Sequence, residues 1–422
     1  MDTKLKKLVN AEIKRQEDTL DFIASENIAS PEMLQLLGSP LTNKYSEGYP
    51  GKRYYPGNQY YDDIELLAGQ NALTAFKLSP KQWAVNVQPY SGSPANHAVY
   101  LALAKPGDTI MGLELSHGGH LTHGHRVSFS GIYYRSISYG VDIATGRIDY
   151  DALLHAAKEY RPRIIISGGS AYPRSIHFKH IGSIAKSVGA YHVADISHIA
   201  GLVAAGVHES PFPHAHVVTT TTHKTLRGPR GAVIFSRLSK VSSEGGKNSE
   251  MTISAAIDKA VFPGLQGGPH NSTIAAIAWM FKEVQKPVFT TYIKQVCANA
   301  TALALELKKF GFLIATEGTD NHLFLLDVRP LAMNGKDAEA LLETAYILAN
   351  RNTLAGDKSP QYPSGVRFGT PSITTRGMKE REMKKIALCI KRVLMDGENP
   401  RGVGNEVKKI ASQFPLPYRA LD

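Results

Sequence analysis

Residues 191–198 read Tyr191-His192-Val193-Ala194-Asp195-Ile196-Ser197-His198, and residues 217–224 read Val217-Val218-Thr219-Thr220-Thr221-Thr222-His223-Lys224. Each is a short apolar or β-branched run that stops at a polar or charged side chain, as a buried strand does at the edge of a sheet. Comparable runs occur at 83–87, 109–113, 163–167 and 232–235. Helical patterns such as Tyr150–Tyr160 and Phe178–Val188 lie between most of them. Strand and helix in alternation predict an α/β domain with a mostly parallel, doubly wound sheet. Ligands in such sheets bind beyond the carboxyl ends of the strands, so candidate chemistry is sought just after each run.

The 422 residues are 43% hydrophobic and 20% charged, which excludes disorder and suits two or three domains. Residues 4–22 place Leu5, Leu8, Val9, Ile13, Leu20 and Phe22 among charges at helical spacing, predicting an amphipathic N-terminal arm over 1–28. A large domain is expected over 29–280. One long helix, about 272–310, then leads into strand, helix and strand, read as a smaller C-terminal α+β domain over 281–422. No apolar run reaches the roughly 18 residues of a membrane-spanning helix. The basic N-terminal stretch lacks the apolar segment of a secretory signal. Cys297 and Cys389 lie in helical patterns, which argues against a disulfide scaffold or a thiolate zinc site and suits a reducing, cytoplasmic location. Lys+Arg 48 against Asp+Glu 37 gives a net charge of +11. The basic residues are scattered, with no arginine-rich tract, so anionic small molecules are favoured over nucleic acid as the main partner.

Lys224 directly follows a buried strand. Desolvated, and near His223, Arg227 and Arg230, its amine would lose basicity and could form a Schiff base. The alternative is a surface lysine entering the turn Leu226-Arg227-Gly228-Pro229-Arg230-Gly231. Asp195 ends the preceding strand, where a buried carboxylate could hold the proton of a pyridine nitrogen or merely cap a turn. Ser91-Gly92-Ser93-Pro94 predicts a helix start, with Ser93 as N-cap and Pro94 as first residue, and its free N–H groups suit a phosphate. Gly118-Gly119-His120 allows close backbone approach to a flat ligand, with an imidazole to stack on it. A metal site at His117, His120, His123 and His125 competes, but the segment lacks zincin spacing and has only Glu114 as a nearby acid. Phosphate cup, stacking imidazole, pyridinium partner and Schiff-base lysine follow one another on successive strand ends. That combination points to a pyridoxal phosphate enzyme.

Longer motifs carry a closer likeness. They include Ala24-Ser25-Glu26-Asn27, the run from Leu41 to Tyr55 containing Tyr45-Ser46-Glu47-Gly48-Tyr49, and Asn86 through Ser93. Phe262-Pro263-Gly264-Leu265-Gln266-Gly267-Gly268-Pro269, Thr319-Asp320-Asn321-His322 and Gly365 through Pro371 follow. Over nearly its whole length the chain resembles serine hydroxymethyltransferase, a fold type I pyridoxal-phosphate transferase. The resemblance implies reversible transfer of the serine hydroxymethyl group to tetrahydrofolate, giving glycine and methylenetetrahydrofolate. Cleavage of 3-hydroxy amino acids is expected as a side activity, with no metal.

The same resemblance implies the roles. Lys224 carries the cofactor, Asp195 pairs with its ring nitrogen, and His120 stacks on the ring. Ser91, Gly92, Ser93 and His223 surround the phosphate, while Ser170 and His198 meet the phenolic oxygen. Arg367 binds the substrate carboxylate with Ser25 as helper, Arg230 stands near the substrate, and Glu47 handles the proton transfer with Tyr45 beside it. Tyr54, Leu115, Gly119, Leu121 and Ser359 fall on the folate side, with Asn350 or Asn352 nearby. The family's site spans a homodimer interface, a tetramer being a further option. Tyr55, Gly267 and Gly268 would then serve a neighbouring subunit. Glu47 should work with a pKa raised by burial. A folate-independent threonine-type aldolase is disfavoured by the intact 45–49 segment. A cysteine desulfurase would need a mobile-loop cysteine, and a non-catalytic basic protein would not need Lys224, Asp195, His120, Arg367 and Glu47 together.

Overall fold

The computed structural model describes residues 2–241, 251–357 and 361–418. Seven strands build the main sheet: β1 (Trp83–Asn86), β2 (Thr109–Leu113), β3 (Arg135–Tyr139), β4 (Ile164–Ser167), β5 (Tyr191–Asp195), β6 (Val217–Thr221) and β7 (Ala232–Arg237). Their order is β1-β7-β6-β5-β4-β2-β3, and only β7 runs antiparallel to its neighbours. Every residue of β4, β5 and β6 is buried, as strands covered on both faces require. The sheet is therefore the mostly parallel one expected, and β5 and β6 have the predicted bounds. Strand β3 has no counterpart in the sequence reading, because Arg135-Ser136-Ile137-Ser138-Tyr139 is a half-exposed edge strand without a continuous apolar run.

Helix α1 (Thr3–Asp18) is capped by the Asp2 carboxylate and buries none of its residues. The chain after it pairs Leu20–Asp21 with Ile347–Leu348, and Leu20 and Phe22 enter a core distinct from that of the main sheet. Around the main sheet pack α2 (Gln59–Ala75), α3 (Gly92–Leu103), α4 (Tyr150–Tyr160) and α5 (Phe178–Val188). The single helix expected near 272–310 is two, α6 (Asn271–Val284) and α7 (Pro287–Lys309). Pro287 explains the break, since it lacks an N–H and disfavours helical backbone in the residue before it.

The second core lies against a four-stranded antiparallel sheet, β8 (Leu313–Ile314), β9 (Leu323–Asp327), β10 (Asn350–Asn352) and β11 (Gly365–Gly369), in the order β8-β9-β11-β10. Helix α8 (Glu380–Leu394) buries Met383, Ile386, Ala387, Ile390, Val393 and Leu394, a stripe at helical period. Each large side chain of that stripe contributes about 1.5–3 kcal/mol by leaving water. Ile293 and Val296 belong to the first core, and Leu303 and Leu307 to the second. The chain thus passes between the cores within α7, while Met280 lies in the first.

Candidate active site

The carboxyl ends of β5 and β6, the start of α3 and the middle of β11 surround one cavity of about 410 Å³. Ser25, Ser91, Gly92, Ser93, His120, Ser170, Asp195, His198, His223, Lys224, Arg230 and Arg367 all line it. Twelve positions scattered from 25 to 367 therefore converge on one space.

One end of it is the first turn of α3. Ser91, not Ser93, is the N-cap: it is extended, while Gly92 and Ser93 are already helical. Pro94 fits that turn because its missing N–H would have no intrahelical partner there. Ser91 makes no capping hydrogen bond with its own side chain, so its hydroxyl remains for a ligand together with the N–H groups of Gly92 and Ser93. A Cβ on Gly92 would lie 2.7 Å from Thr221 Cγ2, so the close approach of helix to strand needs glycine. His223 leaves a buried Nδ1 without a partner among the described residues, and burial, with Lys224 and Arg230 adding to it, lowers its pKa to about 3.

The opposite end holds Asp195, surrounded by donors. Asn96 Nδ2 donates to Oδ2 at 2.9 Å, and His123 Nε2 stands 3.1 Å from the same oxygen. Ser197 gives Oδ1 both its N–H, at 3.0 Å, and its hydroxyl, at 2.6 Å. Burial alone would raise this pKa. The hydrogen bonds from His123 and Ser197 outweigh it and hold the carboxyl well below the usual range. The aspartate is thus an anion in a buried place, fitted to pair with a protonated ring nitrogen.

Between these ends, His120 Nδ1 accepts the Thr122 N–H at 3.2 Å. Burial, then His123, lowers its pKa to about 4, leaving a neutral ring suited to stacking. Of the other clustered histidines, His117 Nδ1 accepts the Val141 N–H and His123 serves Asp195. No group of three or more His, Cys, Asp or Glu is arranged to hold a metal ion among the described residues.

Lys224 Nζ donates to Thr221 Oγ1 at 2.8 Å. Burial lowers its pKa to about 8, with Arg230 and Arg367 adding to the fall against the pull of Asp195. Only the neutral amine attacks an aldehyde. Capture of pyridoxal phosphate by the cofactor-free protein is therefore expected to accelerate as pH rises, with a midpoint near 8, when followed by stopped-flow absorbance. A rate that is flat between pH 6.5 and 9 would contradict this. The backbone carbonyl of Lys224 is held by Asn27 Nδ2 at 2.9 Å, which also donates to Tyr292 Oη at 2.8 Å.

Arg367 is buried on β11. Its Nε donates to Asn350 Oδ1 at 2.9 Å and its Nη1 to the Ser170 carbonyl at 2.7 Å. It forms no ion pair with a carboxylate among the described residues. Asn350, expected on the folate side, orients this guanidinium.

A second group of expected residues lies elsewhere. Glu47 Oε1 would be 3.2 Å from a Cβ on Gly267, and the Tyr45 ring 3.1 Å from one on Gly268. Tyr45 packs edge-on against Tyr55 at 5.4 Å, and Tyr54 against Phe262 at 5.6 Å. Tyr45, Tyr54 and Tyr55 are 54%, 72% and 45% exposed. None of these residues lines the cavity of Lys224. Leu115, Gly119 and Leu121 flank the His120 turn without lining the cavity, and Ser359 lies outside the described residues. Burial raises Cys297 to about 12 and Cys389 to about 11, so neither is the reactive thiolate of a desulfurase.

The sequence reading missed Asn96 and Thr122, and weighed His123 only as a metal ligand. Asn96 sits one turn into α3, where Thr219 Oγ1 donates to its Oδ1 at 2.7 Å and its Nδ2 reaches both Thr122 and Asp195. Its spacing of four from Gly92 was the available signal.

The serine hydroxymethyltransferase family model matches residues 1–390. The cytosolic serine hydroxymethyltransferase of Aspergillus fumigatus is 48% identical over 93% of this chain and 85% of its own. Serine hydroxymethyltransferase 3, chloroplastic, of Arabidopsis thaliana is 48% identical over 93% of this chain and 74% of its own. The mitochondrial serine hydroxymethyltransferase of Candida glabrata is 47% identical over 92% and 81%.

Proposed function

The chain belongs to the serine hydroxymethyltransferase family, and we propose that two copies of it share each active site, one supplying the Lys224 cavity and the other Glu47 with its tyrosines. The reaction is transfer of the serine hydroxymethyl group to tetrahydrofolate, with pyridoxal phosphate as cofactor. The observation behind the sharing is that Glu47, Tyr45 and Tyr55 gather at Gly267–Gly268 and that none of the three lines the Lys224 cavity of their own chain.

The residues present fit the cofactor. An anion cup, a stacking imidazole, an amine of lowered basicity and a fully donor-bonded carboxylate match its phosphate, ring, aldehyde and pyridinium in turn. When bound, pyridoxal phosphate supplies an electron sink for the α-carbon of the amino acid. Ser91, Gly92, Ser93 and His223 hold the phosphate, and Lys224 provides the amine for the aldehyde. Asp195 keeps the ring nitrogen protonated, and Ser170 and His198 attend the ring oxygen. Arg367, with Ser25, clamps the serine carboxylate and so sets which bond at the α-carbon stands across the ring. The partner subunit's Glu47 takes the hydroxyl proton as the carbon–carbon bond breaks, with Tyr45 beside it. Tyr54, Leu115, Gly119 and Leu121 form the folate side. We read the first core as the cofactor domain and the second as the small C-terminal domain, with α7 spanning both.

Co-expression of two inactive variants tests the sharing. If the site is shared, Lys224→Gln and Glu47→Gln subunits regain activity in hybrids, because each hybrid pair carries one site with both groups intact. Random pairing then restores about a quarter of the sites. No regain in purified hybrids would assign Glu47 to its own chain. Native mass reads whether such pairs assemble further into tetramers. For location, a cytoplasmic protein is our reading, supported by the cysteine usage and by the name of the Aspergillus relative. The plastid and mitochondrial names of the other two make cell fractionation the test.

A further inference from the structure

His198 Nδ1 lies 3.2 Å from His322 Nε2, and both rings are buried. His198 follows the β5 strand end and lines the Lys224 cavity, whereas His322 precedes β9 beside the second core. The segment carrying His322 is fastened to the main-sheet unit. Thr319 Oγ1 donates to the Pro173 carbonyl at 3.1 Å, Asn321 Nδ2 to the Tyr172 carbonyl at 3.0 Å, and Arg174 pairs with Asp320 at 2.7 Å. The His322 carbonyl in turn accepts the Thr370 N–H at 3.0 Å. The two imidazoles therefore meet in a fixed seat.

Burial makes both rings neutral, with His322 lowered to about 3, and Lys224 and Arg367 adding to the effect on each. One proton then lies between the facing nitrogens, in one of two arrangements. If His198 Nδ1 donates, His322 must carry its own proton on Nδ1, which is buried and has no partner among the described residues. That leaves an orphaned N–H, the rarer and costlier kind of unsatisfied group. If His322 Nε2 donates, its Nδ1 is a bare lone pair, and His198 is left with its proton on Nε2, facing the cavity.

We propose that His322 is a positioning residue: from beside the second core it donates Nε2–H to His198 and fixes the tautomer that presents His198 Nε2–H to the cofactor's ring oxygen. This rests on the reading that His198 attends that oxygen, and it makes the donor depend on the seating of the small domain against the large one. Tautomers are set in this way by the hydrogen bond that the other ring nitrogen makes.

Nitrogen-15 spectra of histidine-labelled protein, with and without cofactor, test the assignment, His198 being identified by its loss in His198→Asn. Wild-type His198 is expected neutral with the proton on Nε2 in both forms; a proton on Nδ1, or an imidazolium at pH 7.5, overturns the proposal. In the holoenzyme, His322→Leu is expected to raise the pH midpoint of the cofactor's visible absorption by about one unit, because the ring oxygen loses its donor. His322→Gln, which keeps an N–H at that position, should hold the wild-type midpoint and serine KM. A His322→Leu shift fully shared by His322→Gln would mark packing damage and overturn the proposal. If wild-type His198 carries its proton on Nε2 yet His322→Leu converts it to the other tautomer without moving the midpoint, the placement of His198 at the ring oxygen fails instead.

Discussion

Asp195→Asn is expected to lower kcat for hydroxymethyl transfer by about 10²–10⁴-fold, while the protein still binds pyridoxal phosphate and still absorbs in the visible. Removing one member of a buried charge pair costs about 3–5 kcal/mol, and each 1.4 kcal/mol is about tenfold. The geometry makes the substitution harsher than its size suggests. Asn96 Nδ2 and the Ser197 N–H and hydroxyl all point protons at the carboxylate, and His123 Nε2 lies on the same oxygen. A carboxylate accepts from every side. An amide must turn its own NH₂ toward one of these donors, so it loses a hydrogen bond as well as the charge. The ring nitrogen then has no anion to keep its proton, and the electron sink weakens. Asp195→Glu retains the charge but not the reach and should fall between the two. The sign with pH follows from the lowered native pKa: the carboxyl stays ionised at every working pH. No acidic limb from Asp195 should appear in the wild-type profile above pH 5. An Asp195→Asn enzyme with near wild-type kcat would remove Asp195 from the chemistry.

Much of this site was legible because strand-end chemistry is local. The runs ending at Asp195 and at Thr221, just before Lys224, carry their functional side chains at the strand end or within the next three residues, and burial on both faces makes the run itself visible. The helix start at Ser91 was misread by two residues, since Ser93-Pro94 is an equally good local signal and only the approach of α3 to Thr221 decides between them. Lys286-Pro287 did signal the break between α6 and α7, but the apolar period continues across it, and period outweighed punctuation. The separation of Glu47 from Lys224 had no sequence signature. It depends on the Arg53 guanidinium, which bonds Asp62, Glu65 and the Ser46 and Gly48 carbonyls and so fixes where the loop runs. The pairing of Asn350 with Arg367 across β10 and β11 had no local signature. Pairing between strands is long-range information, and a single sequence states it weakly.

Arg367→Leu is expected to raise serine KM and cut kcat/KM by about 30- to 5,000-fold, the roughly 2–5 kcal/mol that follows truncation of one partner of a buried charge pair. Arg367→Lys should recover only part of it, because an ammonium cannot hold Asn350 and the Ser170 carbonyl and still offer two parallel N–H bonds to a carboxylate. What separates this role from a structural one is stability. Without substrate, the guanidinium is buried with two neutral acceptors and no counter-ion among the described residues, and burial lowers its pKa to about 10. It remains charged at neutral pH, but in a place that disfavours charge. Replacing it with a shorter apolar side chain removes that desolvation cost, so Arg367→Leu should match or exceed the Tm of the wild-type protein without ligand. Serine should raise the Tm of wild type and leave that of the variant unchanged, since a ligand stabilises only the state it binds. Calorimetry of both proteins with and without serine reads all four values. A variant that loses Tm but keeps its serine KM would make Arg367 a structural tie between Ser170 and β10. A variant that keeps Tm and loses the serine response would establish it as the carboxylate clamp.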